Sequence, residues 1–288
     1  MTTHRPLTAT LLVSCSDQKG LVAAVSGFLA QHDANILDFS QHTDVTEKAF
    51  FARVVFEIEG LAIARDEVAP AFTPLARRYG MTWKLVFSDQ VPRMGILVSK
   101  YDHCLYDLLI RHKSGELAVE VPLVISNHPD TKPVADFFCV PYHHLPITPE
   151  TKAEQEAAII KLLDDAKVDF VVMARYMQIL SPEFLSHYHH RVINIHHSFL
   201  PAFIGGRPYH QAYERGVKLI GATSHYATED LDEGPIIDQS VVRVDHRDTV
   251  EDLVRKGRDI ERLVLAKGVR LHVDHRVIVH GRRTIVFD

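Results

Sequence analysis

Cysteine is scarce in this chain of 288 residues. Only Cys15, Cys104 and Cys139 occur, too few and too scattered for a secreted disulfide framework or a cysteine-built metal cluster. A reducing, cytoplasmic setting is the expectation. Long apolar runs are also missing. The N-terminal stretch MTTHRPLTATLLVSCSDQKG turns polar at SCSDQKG before it forms a signal core, and no later run approaches the length of a membrane span. Nor is there an excess of positive charge: 32 basic against 37 acidic residues give a formal net charge of -5. That balance supplies no broad cationic face for a nucleic-acid backbone. Membrane and nucleic acid are therefore set aside as partners in favour of a small polar substrate. Glycine-rich linkers, low-complexity tracts and internal repeats are absent as well, so the chain reads as a fusion of different domains rather than a repeated scaffold.

What is present is ordinary globular material, long enough for two cores. Residues 6–87 alternate strands in LTATLLVSC, NILDFSQHT, AFFARVVFEI and WKLVFS with helices over GLVAAVSGFLAQHD and ARDEVAPAFTPLARRYG. Leu21, Val25, Phe28 and Leu29 recur at helical spacing, and Ala52, Val54, Phe56 and Ile58 at the two-residue period of a strand. Asp17 is placed to cap the first helix, Gly20 to permit a tight turn into it, and Asn35 to begin the next extended segment. The β-α-β-β-α-β order, with the stretch SCSDQKGLVAAVSGFLAQHDANILDFSQHTD, resembles the ACT family of small regulatory domains. The resemblance implies a ferredoxin-like fold that senses a ligand or pairs subunits near Asp17, Gln18, Lys19, Gly20 and Asn35. An amino-acid effector and a homo-oligomer are its corollaries.

SDQVPR, residues 88–93, reads as the joint, since Pro92 lacks a backbone donor and interrupts regular structure. From 94 to 288 the chain alternates strand candidates (MGILVSK, LAVEVPLVIS, DFFCV, VDFVVMARY, RVINIHHS) with helix candidates (CLYDLLIRHKSG, DTKPVA, TKAEQEAAIIKLLDDAK, SPEFLSHY). That alternation predicts an α/β, Rossmann-like domain with a mostly parallel central sheet. Near the end, DTVEDLVRKGRDIERLVLAKGVRLHV predicts a helix with Val250, Leu253, Ile260 and Leu263 on its apolar face, followed by an extended return.

The chemistry concentrates in RVINIHHS. Strand alternation puts Asn194, His196 and Ser198 on one side and Ile195 and His197 on the other. An amide and an imidazole on one face can orient a carbonyl and donate to its developing negative charge. The same spacing also suits two polar groups completing a hydrogen-bond network at a strand end. Beyond it, Pro201 can fix a turn and Gly205 and Gly206 can open unusual backbone directions. Further on, His225 and Asp232 stand seven positions apart, on opposite arms of a loop. Five histidines, His187, His189, His190, His196 and His197, raise a metal reading. Their spacing lacks the pattern of a ligand set, so no metal is expected.

Taken together, RYMQILS, NIHHSFLPAFIGGRPYHQAYERGVKLIGAT and SHYATEDLDEGPIIDQ resemble the folate-dependent formyltransferase family. The resemblance implies a catalytic trio of Asn194, His196 and Asp232, with His225 supporting the loop that carries Asp232. It also implies pterin contacts from Met177, Gln178, Ile179 and Leu180 and from the loop Ala227, Thr228, Glu229, Asp230 and Leu231. Members that formylate a phosphorylated amine carry a Gly-Ser-Asn type loop after the first strand of this domain. Here LVSKYDHCLYDLLIRH puts Tyr101, His103 and Tyr106 in that region, which removes the small-residue phosphate cradle, although Lys100 or His103 could still attract an anion. With the ACT-like unit in front, the chain is similar to hydrolytic members of the family. Such a member converts 10-formyltetrahydrofolate and water to tetrahydrofolate and formate, serving one-carbon balance and purine biosynthesis, with no cofactor required. Formyl transfer to an amine, and folate binding without turnover, stand as alternatives.

Overall fold

The computed structural model describes residues 6–202 and 208–288; Gly205 and Gly206, expected at a turn, lie outside the described residues. The chain divides into two compact units. One holds the residues up to Val91 with His275–Ile278 and Ile285–Asp288, and the other holds Pro92–Asp274 and Val279–Thr284. The sequence assigns all of 94–288 to the second domain, whereas two short C-terminal pieces cluster with the first unit. The cause is apolar packing between residues far apart in the chain: Phe287, Ile278 and Ile285 meet Ala49 and Phe51.

The first unit runs β1 (Thr8–Ser16), α1 (Leu21–Gln31), β2 (Ile36–Asp44), β3 (Ala49–Glu57), α2 (Val68–Tyr79) and β4 (Thr82–Phe87). Its four strands form an antiparallel sheet in the order β2-β3-β1-β4. Gly20 enters α1 at φ 91°, a left-handed geometry that glycine adopts without strain. Asp17 does not cap this helix. No side chain does, and the Asp17 backbone N–H instead donates to Lys48 O at 2.7 Å. Asp17, Gln18, Lys19, Gly20 and Asn35 are all exposed. Asn35 Nδ2 donates to Glu57 at 2.9 Å, and Gln18 reaches the carbonyl of Tyr79.

Leu21, Val25, Phe28 and Leu29 are buried together, in one cluster with Leu11, Val13, Ala52, Val54 and Phe56 of the sheet. Phe72 of α2 meets Phe28 and Trp83 edge to face, with centroids 5.2 and 5.1 Å apart. Phe72→Ala is expected to destabilise this unit by about 3–5 kcal/mol, the usual range for emptying a buried aromatic site. Trp83 is the chain's only tryptophan, so its fluorescence during denaturation reads this unit. An unchanged midpoint would refute the assignment of Phe72 as a core anchor.

The second unit contains β5 (Arg93–Val98), α3 (His103–Lys113), β6 (Glu120–Ser126), α4 (Lys132–Phe137), β7 (Tyr142–His144), α5 (Lys152–Asp165), β8 (Phe170–Ala174), α6 (Pro182–His187) and β9 (Val192–His196). It continues through α7 (Pro208–Glu214), β10 (Leu219–Tyr226), β11 (Ile236–Arg243) and α8 (Val250–Val273), and a hairpin of β12 (Val277–His280) and β13 (Arg283–Val286) ends the chain. The seven-stranded sheet has the order β11-β10-β9-β8-β5-β6-β7. The pairings from β9 through β7 are parallel, and β10 and β11 add antiparallel strands at one side. Strands such as β8, buried at every position, read as continuous apolar runs because helices cover both faces of a parallel sheet.

Two local expectations change. DFFCV is not a strand: Asp136 and Phe137 finish α4, Cys139 sits at φ 58°, and pairing begins at Tyr142. A short apolar run fits a buried strand and a helix end equally well until its neighbours are known. On α8 the buried stripe follows Leu253, Gly257, Ile260, Val264 and Gly268, and Leu263 is 60% exposed. None of the described helices is long and apolar enough to cross a membrane.

Strand order reverses at β5, with β6 on one side and β8 on the other. In an open parallel sheet such a reversal leaves a crevice beyond the strands' carboxyl ends. The segments that follow β5, β8 and β9 are thereby brought to one place.

Candidate active site

Asn194 and His196 are alternate residues of β9, and the antiparallel register sets His225 of β10 opposite Asn194 and Thr223 opposite His196. Opposed residues share a face of the sheet, so the pairing itself delivers His225 to the site. Past β10 the chain loops back and Asp232 adopts φ 58°, a conformation that few residues other than glycine, asparagine and aspartate accept. There its Oδ1 lies 3.1 Å from His196 Nδ1 and 3.8 Å from His225 Nε2.

The hydrogen bonds assign an orientation to each group. His225 Nδ1–H donates to Tyr226 O at 3.0 Å, which leaves Nε2 to accept from Asn194 Nδ2 at 3.1 Å. His225 thus spends its bonds on Asn194 and the backbone rather than on Asp232. His196 Nδ1–H donates to the Asp232 carboxylate, while the buried Nε2 of His196 has no hydrogen-bond partner among the described residues. A buried nitrogen left in this state is costly unless a ligand meets it.

Electrostatics follow from the same contacts. Burial pushes the Asp232 carboxyl up, but the hydrogen bond from His196 and the charges of His196, His225 and His197 outweigh it and hold the group below the ordinary aspartate range. Burial pushes His225 down. His197 falls to about 3, through burial first and then the nearby Arg175 charge, so its ring is neutral at physiological pH.

These groups open onto a cavity of about 210 Å³. Met177, Gln178, Ile179 and Leu180 line it, as do Ala227, Thr228 and Leu231, but Glu229 and Asp230 do not. Asp230 shapes the loop instead: its carbonyl accepts from Thr228 Oγ1 at 3.1 Å and from the Glu233 N–H at 3.2 Å. The segment after β8 is held in an uncommon backbone path, with Arg175 at φ 64° and Met177 at φ 58°. Buried Glu156 accepts from the Ser181 N–H at 3.1 Å, Ser99 Oγ hydrogen-bonds the carbonyl of Tyr176, and the Ser181 side chain caps α6. These polar anchors fix an otherwise apolar wall.

Six lining residues go beyond the sequence expectation: Met173, Arg175, Tyr176, Leu185, Ile195 and His197. His197 and Ile195, both assigned by alternation to the opposite side, also border the cavity; His197 lies just past the end of β9 at His196. Arg175 lines it as well; an arginine ending the apolar run DFVVMA is the signal the sequence carries for it. His187 pairs with Asp164 at 2.9 Å, and the potential ligand set among the described residues is His103, Cys104 and Glu261.

Known proteins resemble this chain over most of its length. Residues 92–269 match the formyl transferase family and residues 9–69 the ACT domain. The second unit is accordingly a formyl transferase domain, carried behind an ACT domain. A formyltetrahydrofolate deformylase of Synechocystis sp. is 55% identical, with 98% of this chain and 99% of that protein aligned. One from Bacillus subtilis is 50% identical over 96% of this chain and 93% of its own length. The crystal structure of a formyltetrahydrofolate deformylase from Pseudomonas syringae superimposes with a TM-score of 0.97 at 47% identity, covering 100% of this chain and 96% of that one. The chain belongs to the formyltetrahydrofolate deformylase family.

Proposed function

We propose that this chain hydrolyses 10-formyltetrahydrofolate to tetrahydrofolate and formate, serving one-carbon balance and formate supply for purine biosynthesis. The observation that carries the reading is the meeting of Asn194, His196 and Asp232 at one cavity, with His196 Nε2 buried and unpartnered among the described residues. The pterin lies along Met177 to Leu180 and the Ala227 to Leu231 loop, and backbone groups make part of its contacts. The formyl carbon then faces the trio. Asp232 accepts a hydrogen bond from water and directs its oxygen at that carbon. As the carbon–oxygen bond forms, negative charge gathers on the formyl oxygen. His196, held at Nδ1 by Asp232, meets this charge at Nε2, and Asn194 contributes the amide N–H that His225 does not use. Collapse breaks the bond from carbon to N10. N10 takes up a proton, formate leaves as the anion, and the balance of one water is one proton released.

Water is the acceptor because the region after β5 presents bulky side chains, Tyr101, His103 and Tyr106, where a phosphate cradle needs small residues and open backbone donors. His103 Nε2 donates to buried Glu261 at 2.8 Å, and the Tyr101 ring lies 5.3 Å from the Arg175 guanidinium carbon and 5.4 Å from that of Arg258. Purified protein given 10-formyltetrahydrofolate, with no amine and no added cofactor, is expected to release formate and tetrahydrofolate in equal amounts. Absence of cleavage across a broad pH range would reject hydrolysis, and cleavage that requires an added amine would establish transfer instead. For the ACT domain we propose an amino-acid effector bound near Asp17 to Gly20 and Asn35 of a homo-oligomer.

A further inference from the structure

Beside the reaction centre lies a second cavity, of about 280 Å³, which shares Arg175, Met177 and His197 with the first. We propose that this chamber is an anion site that receives the formate product, with the Arg175 guanidinium as its principal ligand. The proposal rests on the hydrolytic reading, which places a nascent carboxylate next to it.

Arg175 is 8% exposed. Its Nε and Nη1 are buried and make no hydrogen bond among the described residues, so each edge of the guanidinium fork keeps an unused donor. The neighbouring carboxylate does not satisfy it. Glu261 Oε1 accepts from Tyr209 Oη at 2.5 Å and Oε2 from His103 Nε2 at 2.8 Å, while Arg175 Nε stays 3.5 Å from Oε2. Glu261 acts as a scaffold for those two side chains, with only partial neutralisation left for the arginine.

The charge count points the same way. Among the described lining residues are two arginines, Arg175 and Arg258, and one carboxylate, Glu261. Histidines aside, that leaves one net positive charge. A buried guanidinium with open donors suits a small carboxylate, which it can meet with charge-assisted hydrogen bonds. Leaving buried donors open on such an arginine is costly, and a product that forms in the adjoining cavity supplies an acceptor for them. The position after β8, at the carboxyl end of a central strand, is where an open α/β sheet places ligands.

The test is a titration of the full-length protein with carbon-13 formate, without folate, read by line broadening of the formate resonance. Wild type and Arg175→Lys are expected to bind, with Arg175→Gln weaker by at least about tenfold through loss of the charge-assisted bonds. Arg258→Gln, at an exposed rim position, is expected to weaken binding about threefold. Formate should likewise inhibit hydrolysis, with the same order of inhibition constants. Equal binding by wild type and Arg175→Gln, or none by wild type, overturns the site. Should Arg175→Gln fail to fold, the Arg258→Gln titration decides, and an unchanged affinity there rejects the proposal. Formate binding without any hydrolysis would reject the reaction and leave the anion site standing, whereas hydrolysis without formate binding would do the reverse.

Discussion

Replacing Asp232 with asparagine should lower the turnover of 10-formyltetrahydrofolate by about 10²- to 10⁴-fold, with much less effect on KM, because the carboxylate acts on the attacking water and on His196. Asparagine is the informative substitution. Asp232 occupies φ 58°, and asparagine tolerates that left-handed conformation as well as aspartate does. Its Oδ1 can still accept from His196 Nδ1. The fold should therefore persist while the negative charge beside His196 is lost. Near-normal turnover by a folded Asp232→Asn protein would remove Asp232 from the mechanism.

The same variant carries a pH signature. The folded Asp232 carboxyl lies below its unfolded value, since the contacts with His196, His225 and His197 outweigh the upward push of burial. Its contribution to stability is therefore fully present above the unfolded pKa of about 3.9 and is lost as pH falls through the lower folded value. Melting temperature against pH should fall more steeply in acid for wild type than for Asp232→Asn. Parallel curves would contradict the direction of the shift.

Gly234→Ala is expected to be the most damaging single methyl in the site. A Cβ at Gly234 would stand 1.7 Å from Tyr226 O, 3.0 Å from Tyr226 C and 3.3 Å from His225 Nδ1. The obstacle is backbone, and it cannot rotate away. That same carbonyl accepts from His225 Nδ1, and the Tyr226 N–H donates to Pro235 O at 2.9 Å, so the strand pair and the loop must separate. Overpacking of this kind costs about 1–3 kcal/mol or more. Moving Asp232 by about 1 Å would itself cost about a hundredfold in rate. Thermal melting and kcat measured on one preparation check both effects; an alanine variant with unaltered melting and rate would show that the turn has slack.

Much of the fold is legible in the chain because the two periods of hydrophobicity are local. Leu21, Val25, Phe28 and Leu29 announce a helix face wherever they are placed, and VINIH announces a strand. DFFCV is not legible, since so short an apolar run carries no period long enough to separate a strand from the end of a helix. The C-terminal pieces that join the first unit are hidden for another reason: the contact of Phe287 with Ala49 and Phe51 is a matter of distance in space, without a marker in the chain.

The site divides in the same way. The residue types and spacing of Asn194 and His196 suffice to set a shared face, because alternation along a strand is a property of the backbone alone. With the family resemblance they also name His225 and Asp232 as partners. Only the tertiary structure decides which atoms face which. The register of β9 against β10 gives His225 to Asn194, the left-handed turn at Asp232 gives the carboxylate to His196 Nδ1, and His197 borders the cavity from just past the end of β9. Arg175 shows the limit most plainly: its place in the sequence is one charged residue after an apolar run, and its buried, unspent donors come from how Glu261, His103 and Tyr209 satisfy one another. Sequence sets the local geometry of a side chain, but whether a polar atom is paired or left open depends on neighbours that only folding brings within reach.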